Sequence, residues 1–207
     1  MKLFFDMEFT GLRQNTTPIS IGIVSEDGKK FYAEFTDYDE SQCNDWIKEN
    51  VIKKLKAENI KFDSSHTLCD ASSFGNRRWL KYNDSMEVAY GEIFYIIPFL
   101  QIWLKQFDTI QFVSDVCHYD FVLLIDLLTN GGTALDLPEN ISAVCHDLNM
   151  DIARHFHVSD REAFDMSREQ IMNELCGSED IVTGDKHNSL YDAEVIKAIY
   201  KEIGHDI

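Results

Sequence analysis

Two carboxylates near the start of the chain, Asp6 and Glu8, constrain the fold more than any other feature of the sequence. They lie in the run from Lys2 to Glu8, whose apolar and aromatic content is typical of a β-strand. Residues two apart on a strand share a face, so both acids point one way while Leu3 and Phe5 point the other. That face is then the core side or the edge of a cleft.

Acids placed so close together repel each other, and their pKa values rise unless a cation lies between them. Mg²⁺ and Mn²⁺ prefer oxygen ligands and would suit such a pair. For an isolated Asp-x-Glu, a helix cap or a solvent-facing acid at a strand end is the more ordinary explanation. The rest of the sequence has to decide between these alternatives.

The order of the predicted elements indicates an α/β fold. Strands are predicted at residues 2–8, 18–25, 30–35, 110–114 and 142–145, and helices at 40–60, 85–107, 119–128, 148–156, 159–175 and 189–203. Residues 63–84, rich in Ser, Asn and Asp, are interpreted as a long loop or an insertion. We therefore expect a mixed five-stranded β-sheet flanked by α-helices, in a single domain spanning residues 1–207.

Two later segments place acids at the starts of helices. Asp192 falls in the first turn of the final predicted helix, five residues after His187, whose imidazole has an ordinary pKa suited to general base catalysis. A capping aspartate and a surface histidine are the alternative. Between the two ends of the chain, Asp115 ends a predicted strand and Asp120 begins an apolar helix, and both are candidates for a third site.

Three motifs together resemble one known family. The run Asp6-Met7-Glu8-Phe9-Thr10-Gly11-Leu12 resembles the opening motif of the DEDDh exonucleases, in the ribonuclease H-like superfamily. His187-x4-Asp192 resembles the last motif of that family, and Tyr119-Asp120-Phe121 resembles the second. This likeness favours Asp120, leaving Asp115 to bind substrate or to anchor the loop. The following segment, PISIGIVSEDGKKFYAEF, is similar to bacterial and phage exoribonucleases like RNase AS.

The resemblance implies a ribonuclease H-like fold and a metal-dependent 3′–5′ exoribonuclease that trims single-stranded RNA by two-metal-ion hydrolysis. The implied ligands of two divalent ions, Mg²⁺ or Mn²⁺, are Asp6, Glu8, Asp120 and Asp192. His187 is the implied general base. The residues implied to line the pocket of the terminal nucleotide are Phe9, Thr10, Gly11 and Leu12. RNA is favoured over DNA by the likeness alone, and homodimerisation is an expectation carried over from similar enzymes.

The net charge restricts the substrates that the chain can bind. Nineteen basic residues against 36 acidic residues give −17, whereas proteins that coat long duplexes present a basic face. Two divalent ions would balance the four carboxylates of the implied site, and taking those four charges from −17 leaves −13 elsewhere. A short single strand inserted by its 3′ end fits this balance, and long duplex does not.

The remaining sequence features bear on location and on rival functions. The five cysteines are scattered without a CxxC pair, no apolar run is long enough to cross a bilayer, and the N-terminal run lacks a signal-peptide pattern. We therefore expect a cytoplasmic protein with free thiols, no zinc site and no membrane partner. The rival functions are a 3′–5′ DNA exonuclease and a catalytically silent acidic interaction module on the same fold.

Overall fold

The computed structural model describes residues 1–57, 67–68, 78–83, 85–178 and 180–204. The strands in these residues are β1 (Lys2–Phe9), β2 (Pro18–Ser25), β3 (Lys30–Phe35), β4 (Thr67–Leu68), β5 (Arg78–Asn83), β6 (Met86–Gly91), β7 (Gln111–Ser114) and β8 (His146–Asp147). The helices are α1 (Asp45–Asn50), α2 (Ile93–Leu104), α3 (Cys117–Thr129), α4 (Leu148–Phe156), α5 (Asp160–Asp165), α6 (Arg168–Leu175) and α7 (Ser189–Ile203). Short 3-10 turns at Glu40–Gln42 and Ile52–Lys54 flank α1.

All the described strands form one mixed sheet in the order β4-β5-β6-β3-β2-β1-β7-β8. The pairs β1/β2, β2/β3, β4/β5 and β5/β6 are antiparallel, whereas β3/β6, β1/β7 and β7/β8 are parallel. The predicted α/β class and mixed sheet are confirmed. The predicted number of five strands is wrong, because eight are formed within the described residues.

Helices cover both faces of the sheet, and β1 contributes to both cores. Leu3, Phe5 and Met7 belong to the core shared with α2 and α3, whereas Phe4 belongs to the core shared with α4, α6 and α7. Because side chains alternate along a strand, Asp6 and Glu8 continue the row of Phe4. The two acids therefore lie on the α7 face, at the end of β1 where the apolar packing stops.

The opening strands and the final helix agree closely with their prediction, whereas residues 85–107 do not. The predicted helix at 85–107 is in fact β6 followed by α2. Residues 86–91 form a strand because they pair in parallel with β3, a partner more than fifty residues away that local periodicity does not reveal. None of the described helices is long and apolar enough to span a bilayer.

Three further predictions about elements require correction. Within 63–84, residues 67–68 and 78–83 are strands rather than loop, and the other residues of that segment lie outside those described. The last strand is His146–Asp147 rather than 142–145. The helix predicted at 159–175 is two helices, because Ser159 and Ser167 each cap a separate N-terminus. The assignment of residues 1–207 to a single domain stays a prediction.

Candidate active site

Five clustered acids and one histidine converge on a cleft beside the end of β1. The cleft has a volume of about 570 Å³ and is lined by Asp6, Glu8, Asp115, Asp120, His187 and Asp192, among others. Potential metal-ligand atoms form two groups, and within each group the atoms all lie within 4.8 Å of one another. One group is Glu8, His187 and Asp192, and the other is Asp6, Asp115 and Asp120. The five residues that sequence analysis proposed as catalytic are thus brought together, and Asp115 joins them.

The loop before α7 fixes His187 beside Glu8. His187 has a left-handed backbone (φ 63°), and its N–H donates to Asp192 Oδ2 at 2.8 Å. The imidazole Nδ1 lies 3.9 Å from Glu8 Oε1. This backbone hydrogen bond links the loop that carries His187 to Asp192 in the first turn of α7, so it fixes the position of His187 relative to Asp192.

A buried polar network supports this loop from the sheet. Asn188, the N-cap of α7, accepts from the backbone N–H of Tyr191 and donates its Nδ2 to Tyr32 Oη at 3.1 Å. Tyr32 in turn donates to Glu34, whose Oε1 also accepts the backbone N–H groups of Lys56 and Ala57. The network connects the floor of the sheet to the histidine loop and to the segment after α1.

The two central acids, Asp115 and Asp120, have different surroundings. Asp120 is only 1% exposed and accepts a hydrogen bond from Ser114 Oγ at 2.6 Å, which orients its carboxylate toward Asp6. Asp115 lies at the end of β7 and is held by Arg168, whose Nε is 2.6 Å from Asp115 Oδ2. Asp120 is therefore unpaired by any arginine or lysine in the described residues, whereas Asp115 is already engaged.

Burial, together with crowding of the acids, raises the pKa values of Asp6, Glu8 and Asp192. Burial, followed by repulsion from Asp120, Asp192 and Glu8, raises the pKa of Asp6 well above its usual range. Burial and the charge of Asp192 raise the pKa of Glu8 to about 8, and burial is also the main cause that raises the pKa of Asp192 to about 7. Such shifts show that the protein alone does not neutralise the cluster.

These donors fit hard divalent cations. All four proposed metal ligands supply carboxylate oxygens, which Mg²⁺ and Mn²⁺ prefer, and cysteine sulfur takes no part in either ligand group. Cations would favour the ionised acids and so offset the repulsion that raises the pKa values of Asp6, Glu8 and Asp192. The residues present therefore fit a divalent metal ion, which they could hold at the edge of the cleft.

Three of the four predicted nucleotide-contacting residues line the cleft. Phe9, Gly11 and Leu12 are on its wall, and the Phe9 ring stacks on Tyr119 with centroids 5.6 Å apart. Thr10 is not on this wall, and its side chain is fully buried. Its hydroxyl donates to Gln42 and accepts from the Thr17 N–H, and its contact with a nucleotide stays a prediction.

Several cleft residues were missed by sequence analysis. Trp46 falls within the helix predicted at 40–60, and it is 53% exposed, with its ring meeting the His187 ring edge-on at 4.9 Å. Phe164, Arg168 and Lys186 also line the cleft. The only signal for Trp46 was its position on a short helix rich in charged residues, which does not reveal the direction of a single aromatic ring.

Comparisons of the sequence with known proteins found a partial match to two curated proteins. No protein-family model matches the chain. Two Mycobacterium tuberculosis proteins described as 3′-5′ exoribonucleases, from strains CDC 1551 and H37Rv, are each 38% identical to it over 55 residues. The matched part covers 27% of this chain and 33% of each relative, so the chain matches about a third of the length of these curated relatives.

One solved structure matches nearly the whole chain. The nuclease domain of 3′hExo, a DEDDh family member bound to rAMP, superposes with a TM-score of 0.62 at 12% sequence identity. The superposition covers 99% of this chain and 92% of the other. The chain therefore has the fold of a DEDDh nuclease domain, which confirms the predicted ribonuclease H-like architecture.

Proposed function

We propose that the protein is a metal-dependent 3′–5′ exoribonuclease that removes nucleotides from the 3′ end of single-stranded RNA. The observation that carries the proposal is the convergence of Asp6, Glu8, Asp120, Asp192 and His187 at one end of the sheet. Buried acids that lie close together disfavour their own ionised form, which raises their pKa values. Clusters of groups with perturbed pKa values are a common feature of functional sites. The order of these residues along the chain and the nuclease fold both agree with a functional site here.

Each residue has a defined task in the proposed reaction. The four carboxylates would hold two divalent ions, which supply Lewis-acid stabilisation of the phosphate and its leaving oxygen when bound. Burial lowers the pKa of His187, so its imidazole is neutral near pH 7 and can accept a proton from the attacking water. Asp192 keeps that imidazole in place through the backbone N–H of His187.

RNA is proposed as the substrate from two sources of support. The curated relatives are described as exoribonucleases, and the structural neighbour was solved with a ribonucleotide. The cleft has aromatic side chains but few cations, which suits the end of a short strand whose bases stack on the protein. The net charge of −17 opposes binding along a long duplex.

Three finer points belong to the same proposal. Mg²⁺ and Mn²⁺ are both compatible with an all-oxygen ligand set, and metal titration would rank them. The cysteines that the structure describes, at 43, 117, 145 and 176, are free thiols, in keeping with the proposed cytoplasmic location. Homodimerisation is also proposed, and light scattering would measure it.

A gel time course on 5′-labelled single-stranded RNA tests the activity. With Mn²⁺ we expect a ladder that shortens one nucleotide at a time, and no shortening with EDTA or with Asp6→Ala. Equal degradation of a matched DNA strand would assign the protein to DNA as well as RNA. An intact band in every lane, together with no calorimetric Mn²⁺ binding, would favour the silent interaction module instead.

A further inference from the structure

The ion pair between Asp115 and Arg168 places a fifth carboxylate at the edge of the metal site. Both side chains are largely buried, at 13% and 14% exposure, and Arg168 Nε lies 2.6 Å from Asp115 Oδ2. The remainder of the guanidinium donates to the carbonyls of Ala163 and Met166 and to Asn149 Oδ1. Four hydrogen bonds fix the arginine, so it cannot easily leave the acid.

Asn149 fixes the other side of this arrangement. Its Nδ2 donates to the Asp115 carbonyl at 2.6 Å and also to Asp147 Oδ1. The side chain of Asn149 is buried at the start of α4. The ion pair therefore connects the end of β7, the start of α4 and the junction between α5 and α6, all of which surround the cleft.

The position of Asp115 matters because a fifth acid would change the charge of the site. One oxygen of Asp115 lies within 4.8 Å of oxygens of Asp6 and Asp120. Two divalent ions balance four carboxylates, whereas five would leave one negative charge beside the substrate phosphate. Among the described residues, Arg168 is the only arginine or lysine in an ion pair with any of the five acids.

We propose that Arg168 is a positioning residue that neutralises Asp115, so that the metal site works with four carboxylates rather than five. The inference rests on the proposed metal-dependent function. In this arrangement Asp115 does not ligate metal, and Arg168 does not contact the substrate. The pair sets the charge that divalent ions and the RNA phosphate experience at the Asp6 end of the cleft.

Opposite charge changes in matched variants test this proposal. Arg168→Met removes the cation, Asp115→Asn removes the acid, and the double variant removes both while keeping similar side-chain sizes. Calorimetric titration of the metal-free protein with Mn²⁺ measures affinity, and steady-state cleavage of single-stranded RNA measures KM and kcat separately. Arg168→Lys keeps the charge and serves as the control for loss of the guanidinium shape.

The expected shifts have opposite signs. Arg168→Met should bind Mn²⁺ about tenfold more tightly and raise KM for RNA, because an unpaired carboxylate attracts cations and repels phosphate. Asp115→Asn should weaken Mn²⁺ binding by less than about tenfold and lower KM. In the double variant and in Arg168→Lys, the Mn²⁺ affinity and the KM for RNA should both stay close to the wild-type values.

Other patterns would overturn the proposal in identifiable ways. Loss of Mn²⁺ binding in both Asp115→Asn and the double variant would make Asp115 a ligand. Unchanged Mn²⁺ affinity in Arg168→Met, with only a lower melting temperature, would leave the pair a purely structural role. If Arg168→Met does not fold, the proposal is still tested by the sign of the change in Mn²⁺ affinity in Asp115→Asn and by the Mn²⁺ affinity of the double variant. Absence of Mn²⁺ binding by the wild type would overturn both this inference and the proposed function, whereas the preceding outcomes overturn the inference alone.

Discussion

At the scale of single residues, His187 combines a strained backbone with a lowered pKa. Its left-handed φ of 63° is unusual for a side chain with a Cβ, and the hydrogen bond from its N–H to Asp192 maintains it. Burial lowers its pKa, so the neutral imidazole persists beside Glu8 at neutral pH. Strain and a perturbed pKa at the same residue are features of functional sites.

Replacing His187 should therefore separate catalysis from metal binding. We expect His187→Asn to lower kcat by about 10²- to 10⁴-fold, the usual contribution of a general base, with little change in Mn²⁺ affinity. Asp192→Asn should lose both, because its carboxylate is a proposed ligand. Single-turnover cleavage and calorimetry on the same preparations measure the two effects. Equal loss of Mn²⁺ affinity in both variants would contradict a general-base role.

Trp46 gives a second prediction at this scale. Its exposed ring lies beside His187 on the cleft wall, where a base could stack. Stacking of one base on an aromatic ring contributes about 1–3 kcal/mol, so Trp46→Ala should raise KM for RNA by roughly tenfold, with kcat nearly unchanged. Trp46→Phe keeps a ring and should recover most of the affinity. A fall in kcat alone would instead mean that Trp46 orients the imidazole.

At the scale of secondary-structure elements, the sequence predicted what local pattern controls. The bounds of β2, β3, α4 and α7 match the prediction, because apolar alternation or periodicity and caps such as Asn188 are local signals. Strand β6 was mistaken for helix because its pairing partner, β3, is distant in the chain. The same limit applies to the site, where motif spacing indicated Asp6, Glu8 and Asp192 but not Arg168.

Gly22 on β2 allows α7 to approach the sheet, which leads to a prediction about helix placement. A Cβ at this position would overlap the backbone of Ser189 and Leu190, in the first turn of α7. Gly22→Ala should therefore displace the helix that carries Asp192, at a cost of about 1–3 kcal/mol for overpacking, and should weaken Mn²⁺ binding.

Urea unfolding and Mn²⁺ calorimetry measure the two effects of this substitution. Gly177→Ala is the matched control, because, within the described part of the chain, an added Cβ there would meet only Asp180 Oδ2, at 4.0 Å. We expect the control to keep the stability and metal affinity of the wild type. If Gly22→Ala keeps the stability and Mn²⁺ affinity of the wild type, then α7 accommodates the added Cβ without displacing Asp192 from the metal site.

At the scale of the whole molecule, the chain carries excess negative charge, and part of it is clustered in the cleft. The net charge of −17 disfavours binding of polyanions in general, while six of the acids line the one cleft described above. Divalent cations would thus have a local and a global effect. Bound in the cleft, they would let a phosphate approach this acidic region and would relieve the repulsion among its carboxylates.

This coupling predicts that metal removes the pH dependence of stability that the acids of the cleft cause. The folded-state pKa values of Glu8 and Asp192, about 8 and about 7, exceed their ordinary values of 4.5 and 3.8. The stability that these protonated acids contribute is complete below the unfolded pKa values, near pH 4, and is lost as pH rises through 7 to 8. His187 acts in the opposite sense, but only below about pH 6.5, the ordinary imidazole pKa.

Without metal, the melting temperature should therefore fall by several degrees between pH 6.5 and pH 8.5, with a smaller fall in Glu8→Gln. With saturating Mn²⁺ it should stay nearly constant over the same range, because the carboxylates are then ionised in both the metal-bound folded state and the unfolded chain, and unfolding exchanges no protons at these groups. Differential scanning calorimetry in matched buffers measures both curves. Parallel curves with and without Mn²⁺ would mean that the acids of the cleft do not bind the ion, since only binding at these groups couples their protons to the metal.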